Sequence, residues 1–423
     1  MIRPFIIFVF ISFLTTGLPA QEFGLEKVNM SALADNQAAV PEPAFQKSYP
    51  GAADKAVQKE WTFMVFLNAK NNLEKYGMDD INEMETVGSS SKVNVVVELG
   101  RMAGNDDSDG DWKGVRRYYV TQGLNPFRIT SQLVQDMGSA NMGDARELLD
   151  FITWTKERYP AKRYALIMWN HGSGWIKGNP TNYGKGISYD DETGNNIDTP
   201  QLGKVLAAAG GVDLLASDAC LMQMAEVAYE VKDSASFMAG SEEVEPGSGY
   251  SYDKILLALT IAPYMGAEAL GRVLVAAYWH SNSIGFLVPT THSLLDLSKA
   301  AGLAERMDRF AEAAMASGDK KAIRNARQAV QSYATQTNKD LRHFAQLVAG
   351  GTADSKLKAA ARDLSYYIDN SLVLFNVTSV LPASNSNGIA VYLPAGYLDP
   401  DYLDLKMGRD TRWPEFLEWQ MKD

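Results

Sequence analysis

The chain carries a single cysteine, Cys220, and four histidines, of which His171 precedes the cysteine by 49 positions. A thiolate is a strong nucleophile, and an imidazole can take its proton and later hand one to a leaving amine. Together the two residue types suit acyl transfer. A buried structural thiol is the competing reading of Cys220, and a hydrogen-bonded loop residue is that of His171. His280, His292 and His343 lie in helical or polar contexts and are read as surface or packing residues.

Position sets His171 and Cys220 apart. The apolar run at 164–169 (YALIMW) leads straight into Asn170-His171-Gly172-Ser173-Gly174-Trp175, and the run at 212–217 leads into Asp218-Ala219-Cys220. Both runs read as buried strands, which places both residues at carboxyl ends of strands, where parallel sheets bind ligands. A helix expected from Leu221 onward would lower the thiol pKa through its N-terminal N–H groups. Glycines at 172 and 174 allow close backbone approach, so the Gly172 and Cys220 N–H groups are candidates for an oxyanion hole.

The elements needed to hold these ends in place are legible around them. Strands are expected at 61–68, 93–99, 115–121 and 236–240, with helices at 73–87, 145–158 and 200–209. Short apolar strands alternating with helices predict an α/β/α sandwich around a mainly parallel central sheet, over residues 61–285. Residues 286–423 read as a mainly helical C-terminal subdomain, with helices at 294–315, 320–334, 341–349 and 356–367. A strand at 388–393 could return to the sheet.

Five segments make the pattern specific: FMVFLNAKNN at 63–72, continued by Asp79-Asp80-Ile81-Asn82-Glu83-Met84; NHGSGW at 170–175; GISYDDETGN at 186–195; SDACLMQMAEVAYE at 217–230; and SEEVEPGSGYSYD at 241–253. In this order they resemble the clostripain family of the caspase-like cysteine peptidase clan. The resemblance implies a caspase-like fold and a secreted endopeptidase that cleaves peptides or proteins after Arg or Lys. It also implies a dyad of Cys220 and His171, a thioester acyl-enzyme, and a zymogen that cuts itself between these two residues.

Asp218 matches the family position that lines the pocket for the basic side chain, where a carboxylate would pair with Arg or Lys; a helix N-cap ahead of Leu221 is the other reading. Ser248 stands in the PG-x-G turn, where some relatives carry an acidic pocket residue. Glu242, Glu243 and Glu245 lie in the same loop and could compensate, against a reading as solvated loop charges. Lys185 and Lys177, in a Gly/Asn/Pro-rich loop, are the candidate self-cleavage sites, against a reading as solvated lysines. The alternative to a peptidase is a catalytically silent caspase-fold protein for binding or scaffolding at the cell envelope; the presence of both His171 and Cys220 argues against it.

Residues 1–20 have Arg3, an apolar run and a terminal Ala20, the pattern of a signal peptide, so an exported protein, periplasmic or secreted, is expected. Residues 21–60 read as a linker or pro-segment. A formal net charge of −11 argues against a nucleic-acid partner. No later run reaches the ~20 apolar residues of a membrane span. A Cys/His mechanism requires no cofactor. The acidic stretches at 106–111 and 190–192 could hold Ca²⁺, with solvated acidic turns as the competing reading, and one cysteine with scattered histidines cannot build a closed zinc site.

Overall fold

The central strands carry few polar residues, as strands covered on both faces must. In the computed structural model, which describes residues 58–176, 186–282, 289–379 and 383–422, they form one nine-stranded sheet. Its strands are β1 (Lys59–Ala69), β2 (Val93–Arg101), β3 (Gly114–Tyr119), β4 (Gln132–Gly138), β5 (Ala161–Trp169), β8 (Val212–Asp218), β9 (Ala235–Gly240), β10 (Thr291–Asp296) and β12 (Val373–Thr378). The order across the sheet is β12-β10-β9-β8-β5-β1-β2-β3-β4. The pairings from β9 through β8, β5 and β1 to β2 are parallel, and antiparallel strands finish both edges. Among the described residues two small antiparallel pairs lie outside it: β6 (Ile187–Asp190) with β7 (Asn195–Ile197), and β11 (Asn338–Asp340) with β13 (Ala390–Tyr392).

Alternation along each strand builds two cores. Met64, Phe66, Leu166, Met168 and Leu215 face one side, where α2 (Ala145–Arg158), α3 (Thr199–Ala208) and α4 (Ala225–Val231) pack. Phe63, Val65, Leu67, Ala165, Ile167, Leu214 and Ala216 face the other, against α1 (Glu74–Val87), α5 (Tyr252–Ile261) and α6 (Ala267–Asn282). The α/β/α sandwich is therefore present as expected.

The central sheet and the first core both continue past the boundary expected near residue 285. β10 and β12 belong to the central sheet, and α7 (Ala300–Ser317), α8 (Lys320–Ala329), α9 (Leu341–Gly351) and α10 (Ser355–Tyr367) extend the first core without a break. The helix expected from 294 begins at Ala300, because Thr291–Asp296 (THSLLD) is a buried strand of the central sheet whose adjacent Leu294 and Leu295 fit a strand as well as the start of a helix. The strand expected at 388–393 forms, but it pairs with β11 instead of returning to the sheet.

Candidate active site

Parallel pairing of β5 with β8 sets Trp169 opposite Asp218. Two residues beyond that rung, on adjacent strands, lie His171 and Cys220. Gly172 is what lets the two turns meet: a Cβ there would collide with the Cys220 carbonyl oxygen and press on the Ala219 side chain. The turn after β5 is tied down by Asn170, whose amide bridges Asn68 O at 2.5 Å and Tyr189 O at 3.2 Å and accepts from Tyr189 N at 2.8 Å. Asn71 reaches the same Tyr189 carbonyl at 3.1 Å. The asparagines of two sequence signatures thus converge on the third.

Cys220 sits half-buried in a turn, and the expected helix does not follow it directly. Leu221 is left-handed at φ +62°, and the N–H groups of Leu221 and Gln223 are spent on Glu243 O and Ser241 O, at 3.1 and 3.0 Å. The helix, α4, starts only at Ala225. Its dipole acts within its first turn and cannot be credited with lowering the thiol pKa, and Asp218 is not its N-cap. Another N–H takes that role: Glu245 N donates to Cys220 Sγ at 3.2 Å.

The His171 ring has an orienting partner that sequence reasoning missed. Its Nε2 lies 2.7 Å from Asn72 Oδ1, which assigns the proton to Nε2 and the basic lone pair to Nδ1. Asn72 closes the FMVFLNAKNN segment, so the signal was present, but nothing in the segment separated Asn72 from its structural neighbours. Burial pushes the imidazole down to about 4. It also pushes the Cys220 thiol up, offset in part by the Glu245 N–H. Both shifts favour a neutral thiol and a neutral imidazole, against the lowered thiol pKa expected from a helix at Leu221.

Asp218 is buried beneath this site. Its Oδ2 accepts from Tyr252 OH at 2.8 Å and from Tyr250 N at 3.3 Å. Gly249, left-handed at φ +48°, packs its Cα face on the carboxylate where any side chain would strike it. Burial raises Asp218 to about 6. Asp80, on α1, lies close by, accepting from Trp169 Nε1 at 2.6 Å, and is held well above the usual carboxylate range by burial and then by the Asp218 charge. Glu245 is the third buried carboxyl of the group. Among the described residues no Lys or Arg forms an ion pair with any of the three.

The remaining expected residues fall elsewhere. Ser248 is exposed and donates its hydroxyl to Asn282 Oδ1 at 2.6 Å. Lys177 and Lys185 lie outside the described residues, as do residues 1–57. His292, read as ordinary packing, is buried behind the site with Nε2 at 2.8 Å from Tyr250 OH. The acidic stretches considered for Ca²⁺ are partnered internally: Asp106 with Arg101 at 3.3 Å, and Asp190 with buried Lys70 at 3.0 Å. Among the described residues no group of three His, Cys, Asp or Glu side chains is arranged to hold a metal, and no helix is long and apolar enough to cross a membrane.

Comparison with known proteins gives the family and the fold. The chain is 32% identical over 226 residues to clostripain of Hathewaya histolytica, a match covering 48% of this chain and 43% of that protein, so it spans less than half of the relative's length. Its fold is that of a secreted C11 cysteine protease of Bacteroides thetaiotaomicron solved with an irreversible peptide inhibitor: 19% identity, TM-score 0.61, covering 85% of this chain and 99% of the other. It is also that of an inactive zymogen C11 protease of Parabacteroides distasonis: 17% identity, TM-score 0.63, covering 84% and 99%. The family model for clostripain matches residues 65–419, from the first core strand through the last helix. The chain therefore belongs to the clostripain family of cysteine peptidases.

Proposed function

We propose that the chain is an exported cysteine endopeptidase that cleaves after Arg or Lys, with Cys220 as nucleophile and His171 as its acid/base partner. The observation that carries this reading is the group of buried carboxyls next to Cys220, Asp218 foremost, with no basic side chain paired to it among the described residues. Burying carboxyl groups without a cation is costly. A cationic substrate side chain would supply the missing partner.

In the proposed reaction Cys220 Sγ attacks the carbonyl carbon while its proton moves to His171 Nδ1. The carbonyl oxygen takes the negative charge facing the N–H groups of Gly172 and Cys220. Collapse expels the amine, which takes the proton from His171, and leaves a thioester on Cys220. Water, deprotonated by His171, then attacks the thioester carbon, and the thiolate leaves and regains the proton. Because the resting pair is neutral, the proton transfer accompanies attack. Asn72 keeps Nδ1 turned to its task.

Self-cleavage between His171 and Cys220, at Lys185 or Lys177, is part of this reading. Export rests on the signal-like pattern of residues 1–20 and on the secreted relative of the same fold. The test uses purified wild type and Cys220→Ala with fluorogenic peptides ending in Arg, Lys or norleucine, and a gel for new fragment pairs. Hydrolysis of the Arg and Lys peptides by wild type alone supports the reading. A folded wild type that hydrolyses none of them and yields no fragments would leave the binding or scaffold alternative.

A further inference from the structure

Three glutamates occupy the loop after β9, and their partners separate them. Glu245 shares a hydrogen bond with Asp218, and its backbone N–H donates to Cys220 Sγ at 3.2 Å. Glu243 accepts from Ala334 N at 2.9 Å and from Val244 N at 2.8 Å. Glu242 accepts from Tyr333 OH at 2.7 Å and from Gly388 N at 3.0 Å. Glu245 belongs to the site already described; the other two reach away from it, to the segments around β11 and β13. The same loop holds the turn after Cys220, because Glu243 O and Ser241 O accept from Leu221 N at 3.1 Å and Gln223 N at 3.0 Å. Ala390 N, at the start of β13, donates to Gln223 O at 2.9 Å.

Asp340, the last residue of β11, meets Glu242 away from the catalytic turn. The two buried carboxyls share a hydrogen bond and face one hydroxyl, that of Tyr333, at 2.7 and 3.4 Å. Asp340 also accepts from His343 N at 2.6 Å, from Asn387 Nδ2 at 2.9 Å and from Asn387 N. Among the described residues no Lys or Arg forms an ion pair with either carboxyl. Two touching carboxyls without a cation cannot both ionise. The N–H groups around Asp340 favour its charged form, so the proton stays on Glu242, which burial and then the Asp340 charge hold well above the usual carboxylate range. The other titratable group facing the pair is Tyr333, itself raised by burial. The His343 ring is engaged with Gln331 N at 3.0 Å, and β10 offers the Thr291 hydroxyl to Glu242 N at 3.0 Å.

We propose that Glu242, paired with Asp340, is a positioning residue for Cys220: it fastens the loop after β9 to β11 and Gly388, and thereby holds the Glu245 N–H on Sγ and the turn from Leu221 to Gln223 in place. The proposal rests on the reading of Cys220 as nucleophile. Loss of the Glu242 proton sets two anions side by side in a buried place. The fastening is therefore complete at lower pH and weakens as pH rises through the raised titration of Glu242. Glutamine imitates the protonated acid, with an oxygen that accepts and an amide N–H to give to Asp340. Alanine offers neither.

The experiment measures amide hydrogen exchange, and kcat and KM on an Arg peptide across pH, in the full chain as wild type, Glu242→Gln and Glu242→Ala. Glu242→Ala is expected to lose at least about tenfold protection at the Leu221, Gln223 and Glu245 amides, the factor of one charge-assisted contact. Its central strands should stay protected, and its kcat should fall about tenfold with KM nearly unchanged. Glu242→Gln should match wild type at neutral pH and, unlike wild type, keep its kcat as pH rises. Unchanged exchange at the three amides in Glu242→Ala overturns the proposal, as does a Glu242→Gln that behaves like Glu242→Ala. Should Glu242→Ala not fold, the same alkaline decline in wild type and Glu242→Gln overturns it. A wild type that turns over no peptide overturns the nucleophile reading instead, and exchange at the three amides still decides the fastening.

Discussion

Trp169 stands directly opposite Asp218 where β5 pairs with β8, and this rung sets the geometry of everything above it. The strand ends are equal in length beyond it, so His171 and Cys220 emerge side by side. Below it, Trp169 Nε1 donates to Asp80, and Asp218 accepts from Tyr252 OH.

The contact between the two turns makes Gly172 a sensitive position. In Gly172→Ala the new Cβ meets the Cys220 carbonyl, a backbone atom that cannot swing aside. We expect kcat to fall at least about tenfold, because displacements of well under an ångström at a reacting centre are already costly. Steady-state kinetics on an Arg peptide, with circular dichroism to show a retained fold, checks this. Unchanged kcat would mean that the two turns can separate without consequence.

Asn72 should act on the imidazole and not on substrate. Asn72→Ala removes the acceptor at Nε2 and frees the ring to rotate or change tautomer. The expected result is a drop in kcat on the order of ten- to a hundredfold with KM nearly unchanged. A rise in KM alone would place Asn72 against the substrate instead.

The neutral resting pair has a pH signature. With the thiol raised and the imidazole lowered to about 4, Cys220 holds its proton at neutral pH. Alkylation of Cys220 by iodoacetamide should therefore climb with pH through and beyond the ordinary thiol range. A plateau of fast alkylation from pH 5 to 8 would reveal a thiolate–imidazolium pair and contradict the assignment.

Stability carries its own pH dependence through Glu226, at the start of α4. Its Oε1 accepts from Tyr392 N at 2.9 Å and Tyr402 OH at 3.2 Å, its Oε2 is buried without a partner, and burial raises it from 4.5 to about 7. Between these values the folded chain holds a proton that the unfolded chain has given up. The group's contribution is therefore fully present below pH 4.5 and is lost as pH rises through 7. Glu226→Gln keeps the shape without the titration. Thermal melts should show the variant gaining on wild type between pH 5 and pH 8; a constant difference would refute this.

Much of the site was legible because strand burial and chain order are written in local sequence. The apolar runs at 164–169 and 212–217 became adjacent strands, and the residues that follow them came together. What local pattern could not show was where backbone N–H groups go. Leu221 to Gln223 looked helical, but their hydrogen bonds cross to the loop after β9, so the helix starts later and the thiol loses its dipole. Of the buried carboxyls near Cys220, the sequence singled out Asp218. Sorting Glu242, Glu243 and Glu245 depended on Tyr333, Ala334 and Gly388, partners roughly 90 to 145 residues away that no spacing rule connects. The same distance hid β10 and β12, whose place in the sheet is decided by edge pairing.

The central claim is that Cys220 attacks a carbonyl placed by a basic side chain over Asp218. The most direct measurement treats the protein with a peptidyl-arginine chloromethyl ketone and with its norleucine counterpart, then locates the adduct by mass spectrometry. The account predicts fast, stoichiometric labelling of Cys220 by the arginine reagent, slow labelling by norleucine, and loss of the arginine advantage in Asp218→Asn. Equal labelling by both reagents, or an arginine adduct on any residue other than Cys220, would contradict it.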